Sequence, residues 1–211
     1  ILGQNGEVPD YLDLPPGKGL ISGIVAPDDF TREEGEPDIP LVWQWNHNPD
    51  DDNWLVNRDE GYLRISTGRT DSSFLMARNT LTQRTIGPVS SGETSLNVSG
   101  MKDGDFAGLA LLQHHHGMIG VKKENGSSYI VMVKADGVGS KEEERIELNS
   151  DQVYLRAECN FRELADKARF YYSFDGESWH RMGSELQMLY TLPHFMGYRF
   201  GLFNYATSQV G

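Results

Sequence analysis

Thirteen residues, VWQWNHNPDDDNW from Val42 to Trp54, hold three tryptophans, a histidine, three asparagines and three consecutive aspartates. Three chemistries compete for them. Indole rings fill cores, and burying one removes a large apolar area from water, so a core role is expected for at least one of Trp43 and Trp45. A pyranose offers C–H groups to an indole face while its hydroxyls take polar partners, which would enlist His47 and Asn48 beside a tryptophan. Asp50, Asp51, Asp52 and Asn53 are hard oxygen donors of the kind calcium takes. Their spacing does not follow the EF-hand loop, and a solvated turn explains them as well; a structural calcium is kept as an alternative.

The run LLQHHHGMIGV (111–121) is the second concentration of chemistry. Read as a strand, it sends His114 and His116 one way and His115 the other. Catalytic zinc needs a third protein ligand, and no HExxH or paired-cysteine pattern supplies one, so no metal is assigned. A polar strand end beside a groove, with Gln113 alongside, fits better. The acids of KEEERIEL do not form a catalytic pair: Glu144 and Glu147 fall on opposite faces of a strand, and with Glu142 they read as a charged, solvated edge. Cys159 sits in an apolar alternation and reads as core. Catalysis by this chain alone is not supported.

These groups need a scaffold, and the scaffold reads as all-β. Short β-prone runs (62–66, 94–98, 129–133) and longer ones (153–161, 168–174) are separated by turn-rich SGMKDGD, KENGSS, ADGVGS and FDGESW. In VYLRAECNF, Val153, Leu155, Ala157 and Cys159 alternate with Tyr154, Arg156 and Glu158, the mark of a sheet with one buried side. No window carries a period-3.6 stripe, and NFRELADKARF reads as strand, turn and new strand. The spacing predicts a two-sheet antiparallel β-sandwich.

Residues 1–28 are rich in Gly and Pro and read as a linker or extended arm, too apolar at Leu12, Leu14, Leu20, Ile21, Ile24 and Val25 for a free tail. TREEGEPD (31–38) reads as a solvated loop. A chain opening at Ile1 reads as processed or excised. The net charge of −12 with no basic stripe argues against nucleic acid, and no apolar run approaches the roughly 18 residues of a membrane helix. One cysteine rules out an internal disulfide. That fits a reducing compartment, but disulfide-free secreted proteins are common, and the periplasm or exterior is favoured over the cytoplasm.

The blocks WQWNHNPD, ARNTLTQRTIGP, VSGMKDGDFAGLALLQ, GMIGVKK, FYYSFDGESW and LPHFMGYRFGLFNYAT, from about Asp29 to Thr207, resemble the C-terminal concanavalin A-like β-sandwich of glycoside hydrolase family 43. That family includes β-xylosidases and α-L-arabinofuranosidases. The resemblance implies a jelly-roll accessory domain over 29–211 and makes 1–28 the tail of a missing N-terminal catalytic propeller. There an aspartate base, a glutamate acid and an auxiliary aspartate would hydrolyse the glycoside with inversion, the base and acid roughly 6.5–9.5 Å apart to admit water.

It further implies a carbohydrate groove for a xylo- or arabino-oligosaccharide, drawing on Trp43, Trp45, His47, Arg78, Gln83, Arg84, Gln113 and Tyr205, whose amides and guanidinia suit sugar hydroxyls. The loop 100–105 would approach the propeller, with Met101, Lys102 and Asp103 its residues of interest. The alternative is a purely structural domain that packs on the propeller and binds no sugar. Relatives continue past NYAT with a further strand, so a sheet position here is expected to stand unfilled, its unpaired edge open to another chain. Relatives also show one aromatic residue where this chain has HHH.

Overall fold

A computed structural model describes residues 23–208 except 137, 193 and 195. The reading of residues 1–22 as linker or propeller tail lies outside the described residues. Among the described residues, thirteen strands form two facing sheets and a hairpin. The larger sheet runs, in spatial order, β1 (Gln44–Trp45), β4 (Leu81–Arg84), β13 (Arg199–Ala206), β6 (Asp105–Leu112), β7 (His116–Glu124), β8 (Ser127–Ala135) and β9 (Ser140–Leu148). The smaller runs β12 (His180–Gln187), β11 (Lys167–Ser173), β10 (Gln152–Asn160) and β5 (Val89–Asn97). The hairpin is β2 (Trp54–Asn57) and β3 (Tyr62–Ile65). All the strand pairs are antiparallel, as the turn-punctuated sequence predicts. The last strand, β13, lies between β4 and β6.

The β10 alternation holds residue by residue: Val153, Leu155, Ala157 and Cys159 are buried against the facing sheet. They meet Leu109, Leu111, Ile119, Val121, Ile130 and Met132 from the larger sheet. On β5 the inward position opposite Ala157 is Gly92, where an added Cβ would come within 2.8 Å of the Phe200 ring; only a bare backbone fits there.

Strand β6 behaves differently, because all eight of its residues are buried. Its unbroken apolar run, FAGLALL, is what burial on both faces requires. The outer cover comes from the 66–80 connection, which brings Phe74 and Ala77 onto Phe106, Ala110, Leu112, Met118 and Phe203 in a second core. Phe74 meets Phe203 edge-on at 5.1 Å, and Phe203 meets Phe106 likewise at 5.1 Å. Asp71 fastens this connection by donating its amide to the Ala206 carbonyl at 2.8 Å.

Two local readings need correction. HHH is not strand: Gln113–His115 make the turn between β6 and β7, and only His116 belongs to a strand. A polar run followed by GMIGV keeps strand-like alternation across a chain reversal, so period alone could not place the turn. TREEGEPD is not wholly solvated either, since Arg32 is almost enclosed against Asp28. The segment from Ala26 to Trp43 is held to the sandwich: Gln83 Nε2 donates to the Ala26 carbonyl at 2.9 Å, and its Oε1 accepts the Ala26 amide at 3.1 Å.

Candidate functional site

The eight residues expected to line one groove are spread over the larger sheet and its loops, with Trp45, His47 and Arg78 near one another and Tyr205 far along β13 from Arg84. Trp43 lies before β1, half-buried, its ring stacked on Phe30 at 5.8 Å and its Nε1 donating to Asp28 at 2.7 Å. Asp28 also receives both terminal nitrogens of Arg32 at 2.8 Å. These donors hold the Asp28 carboxyl below its usual range against the opposing effect of burial, which is the largest single influence on it. Trp45 faces the opposite way to Gln44 on β1 and meets the Trp54 ring at 5.1 Å. His47 and Arg78 are exposed, each bonded to a loop carbonyl: His47 Nε2 to Leu75 at 2.9 Å, Arg78 Nε to Asn48 at 2.9 Å.

Gln83 and Gln113 are buried, and their amides serve backbone. Gln113 Nε2 donates to the carbonyls of His194 and Met196 at 2.8 Å, while its Oε1 accepts the His114 amide and, at 3.2 Å, the Thr191 hydroxyl. An amide with every arm engaged is a brace, and it offers no polar atom to a sugar. Tyr205 is buried in the outer core beside Phe106, its hydroxyl pKa pushed up to about 12 by burial. It lies six positions along β13 from Arg199, roughly 20 Å at a strand's rise of about 3.3 Å per residue. Arg84 sits at the Arg199 end, so Arg84 and Tyr205 cannot share a monosaccharide.

Three acids of β9, Glu142, Glu143 and Glu144, are engaged with cations and donors. Glu142 pairs with Lys122 at 2.8 Å and with Arg145 at 2.6 Å. A bulge between Glu142 and Glu144 turns Glu143 toward Lys134, Lys141 and the Ser184 hydroxyl, while Glu144 accepts the Gly183 amide at 2.7 Å. Those last bonds join β9 to β12 and close one side of the sandwich. Glu144 and Glu147 do face opposite sides, as read from sequence, and β9 is a sheet border.

Met101 packs half-buried on the inner core. Lys102 takes the Asp105 carboxylate on its backbone amide at 2.8 Å, and Asp103 accepts the Gly126 amide at 2.9 Å. The loop is therefore braced against the β7–β8 turn, with the Lys102 side chain exposed. Around the aspartate run, Asp50 accepts from Asn53 Nδ2 at 3.0 Å and Asp51 from Trp54 Nε1 at 2.9 Å. Among the described residues no three His, Cys, Asp or Glu side chains converge as metal ligands. His116 is buried beside Phe74 at 5.1 Å, and burial pushes its pKa below the usual histidine value.

Sequence reading missed Arg199, which is placed beside Arg84 only by pairing between distant strands, and Asp28, whose partners are spread from Phe30 to Trp43. It also missed Trp179, over which Arg156 lies at 3.9 Å from the ring centroid. The DGESW turn supplied a signal for Trp179, an aromatic following a tight turn.

Comparison with known proteins supplies the family. The model of the β-xylosidase C-terminal concanavalin A-like domain matches residues 28–211. A β-xylosidase of Formosa agariphila is 27% identical over 210 residues, covering 86% of this chain and 33% of that protein. A putative β-xylosidase of Xylanibacter ruminicola is 29% identical over 171 residues, covering 81% and 30%. Among solved structures, a bifunctional GH43-CE protein of Bacteroides eggerthii is 56% identical with a TM-score of 0.89, over 99% of this chain and 27% of that one. An engineered GH43 glycoside hydrolase with endo-xylanase and exo-arabinofuranosidase activity is 29% identical with a TM-score of 0.81, over 99% and 43%. The chain thus spans about a third of the length of the xylosidase relatives it matches. With its sandwich and its match from Asp28 onward, this chain belongs to the family of β-xylosidase C-terminal concanavalin A-like domains.

Proposed function

We propose that this chain is a non-catalytic accessory domain of a glycoside hydrolase acting on xylan- or arabinoxylan-derived saccharides, and that it packs against a catalytic propeller of the same polypeptide. The observation that carries this reading is the match to a C-terminal domain in a chain one-third the length of its xylosidase relatives. The state of its carboxylates agrees: Glu142, Glu143 and Glu144 neutralise cations or tie two strands together. An inverting acid and base need free carboxyls facing each other across a sugar and a water.

Toward neutral xylo- and arabino-oligosaccharides, the finer reading supported here is structural. Gln83, Gln113 and Trp43, which were expected to meet sugar hydroxyls, brace the domain's own backbone and its arm. A second reading, direct binding of a xylo- or arabino-oligosaccharide, rests on Trp45 and Trp54, a half-buried indole pair with exposed His47 and Arg78 on neighbouring loops. Two experiments test these. Turnover of nitrophenyl xyloside or arabinofuranoside by the purified chain, surviving repurification, would overturn the accessory role. Calorimetric titration with xylohexaose separates the finer readings: silence from folded protein supports the structural one, while heat that disappears in Trp54→Ala supports the second.

A further inference from the structure

Pairing of β13 with β4 sets Arg199 directly opposite Arg84. Partners opposite one another in an antiparallel ladder project to the same face, and like charges there are destabilising. The larger sheet nevertheless keeps both. Arg32, Arg58, Arg69, Arg145, Arg156 and Arg169 each have a carboxylate within ion-pair reach. Among the described residues Arg84 and Arg199 have none. The remaining arginines without one are exposed, whereas Arg199 is half-buried and has only the Thr82 hydroxyl, at 3.2 Å from Nη1. Burial first, and Arg84 second, push the Arg199 pKa below the usual guanidinium value.

The two arginines line a groove of about 670 Å³, within the roughly 300–1,000 Å³ typical of small-ligand sites. Phe161 and the largely exposed Tyr190 ring offer apolar faces in its walls. Asp166 also lines it, which confines an anion to the arginine end. We propose that Arg84 and Arg199 form a site for an acidic saccharide, taking the carboxylate of a uronate residue while the aromatic walls meet its ring. Guanidinia match carboxylates in paired, planar geometry, and a local cationic spot in a chain of net charge −12 selects anions that the rest of the surface repels. The charge assignment stands on geometry alone; the saccharide character rests on the accessory role proposed above.

The test is calorimetric titration of the 211-residue chain with methyl glucuronoside, methyl glucoside and inorganic phosphate. The uronoside is expected to bind, with the neutral glucoside weaker by about tenfold or more, the factor carried by one charge-assisted hydrogen bond. Arg84→Gln is expected to lose uronoside binding by a similar factor and to melt at a higher temperature, because it removes the repulsion. A merely structural arginine would melt lower on replacement. Equal binding of glucuronoside and glucoside, no binding of either, or unchanged affinity in folded Arg84→Gln would overturn the proposal. Phosphate binding as tightly as the uronoside would overturn it too, by making this a general anion site. None of these results bears on the accessory role, which falls only if the chain hydrolyses glycosides by itself.

Discussion

The Tyr198 hydroxyl donates to the His115 carbonyl at 2.7 Å and accepts the Leu189 amide at 3.0 Å, so one buried phenol joins the β12–β13 connection to the β6–β7 turn. Burial pushes its pKa up to about 12, which keeps it a donor at any physiological pH. Tyr198→Phe leaves the shape but removes both bonds, leaving the partly buried His115 carbonyl and Leu189 amide without this partner. A loss of about 1–3 kcal/mol in urea unfolding is expected. A change below about 0.5 kcal/mol, the range of ordinary surface substitutions, would show that the phenol bears no such role.

Asp28 is the hub of the arm, bonded to Arg32 and to the Trp43 indole. Both charged side chains are over nine-tenths enclosed. Asp28→Asn leaves Arg32 buried without its counter-charge, a change that costs roughly 3 kcal/mol in comparable pairs. Hydrogen exchange should show protection lost between Ala26 and Trp43 and retained in β6 and β10. Uniform loss across the chain would show that the arm is not a separately opening unit.

Glu143 links stability to pH. Its donors, Ser184 first and Lys141 next, lower its pKa from 4.5 to about 2. Between those values the unfolded chain holds the proton and the folded chain does not. The contribution is therefore complete above pH 4.5 and fades as pH falls toward 2. Melting curves of Glu143→Gln should lie below those of the parent at pH 6 and converge with them near pH 2. A gap independent of pH would refute the linkage.

Cys159 is buried in the inner core, and burial alone pushes its thiol up to about 12. Only the thiolate attacks disulfide reagents. Ellman's reagent should find no reactive thiol in the folded chain and one in urea. Prompt reaction under native conditions would mean that β10 opens readily.

How much of this was legible in the sequence depended on how local the cause was. Val153 to Cys159 announce their face through nearest-neighbour alternation, and the structure keeps that pattern. FAGLALL shows no alternation because Phe74 covers its second side, and that cover arrives from a distant loop. Gln83 and Gln113 were read as sugar donors since an amide's chemistry is the same toward a hydroxyl and toward a carbonyl. Only the positions of Ala26, His194 and Met196 show which partner it meets. The pairing of Arg84 with Arg199 is likewise invisible until β13 is threaded between β4 and β6.

The bulged strand β9 has one more consequence. A sheet border with free amides and carbonyls is adhesive, and modules carried on long polypeptides meet one another at high local concentration. Here the border wears Lys141, Arg145 and four glutamates and is kinked at Glu143, while the opposite border, β1, is only two residues long. Neither offers a straight template, so this sheet does not readily extend into a strand of a second copy.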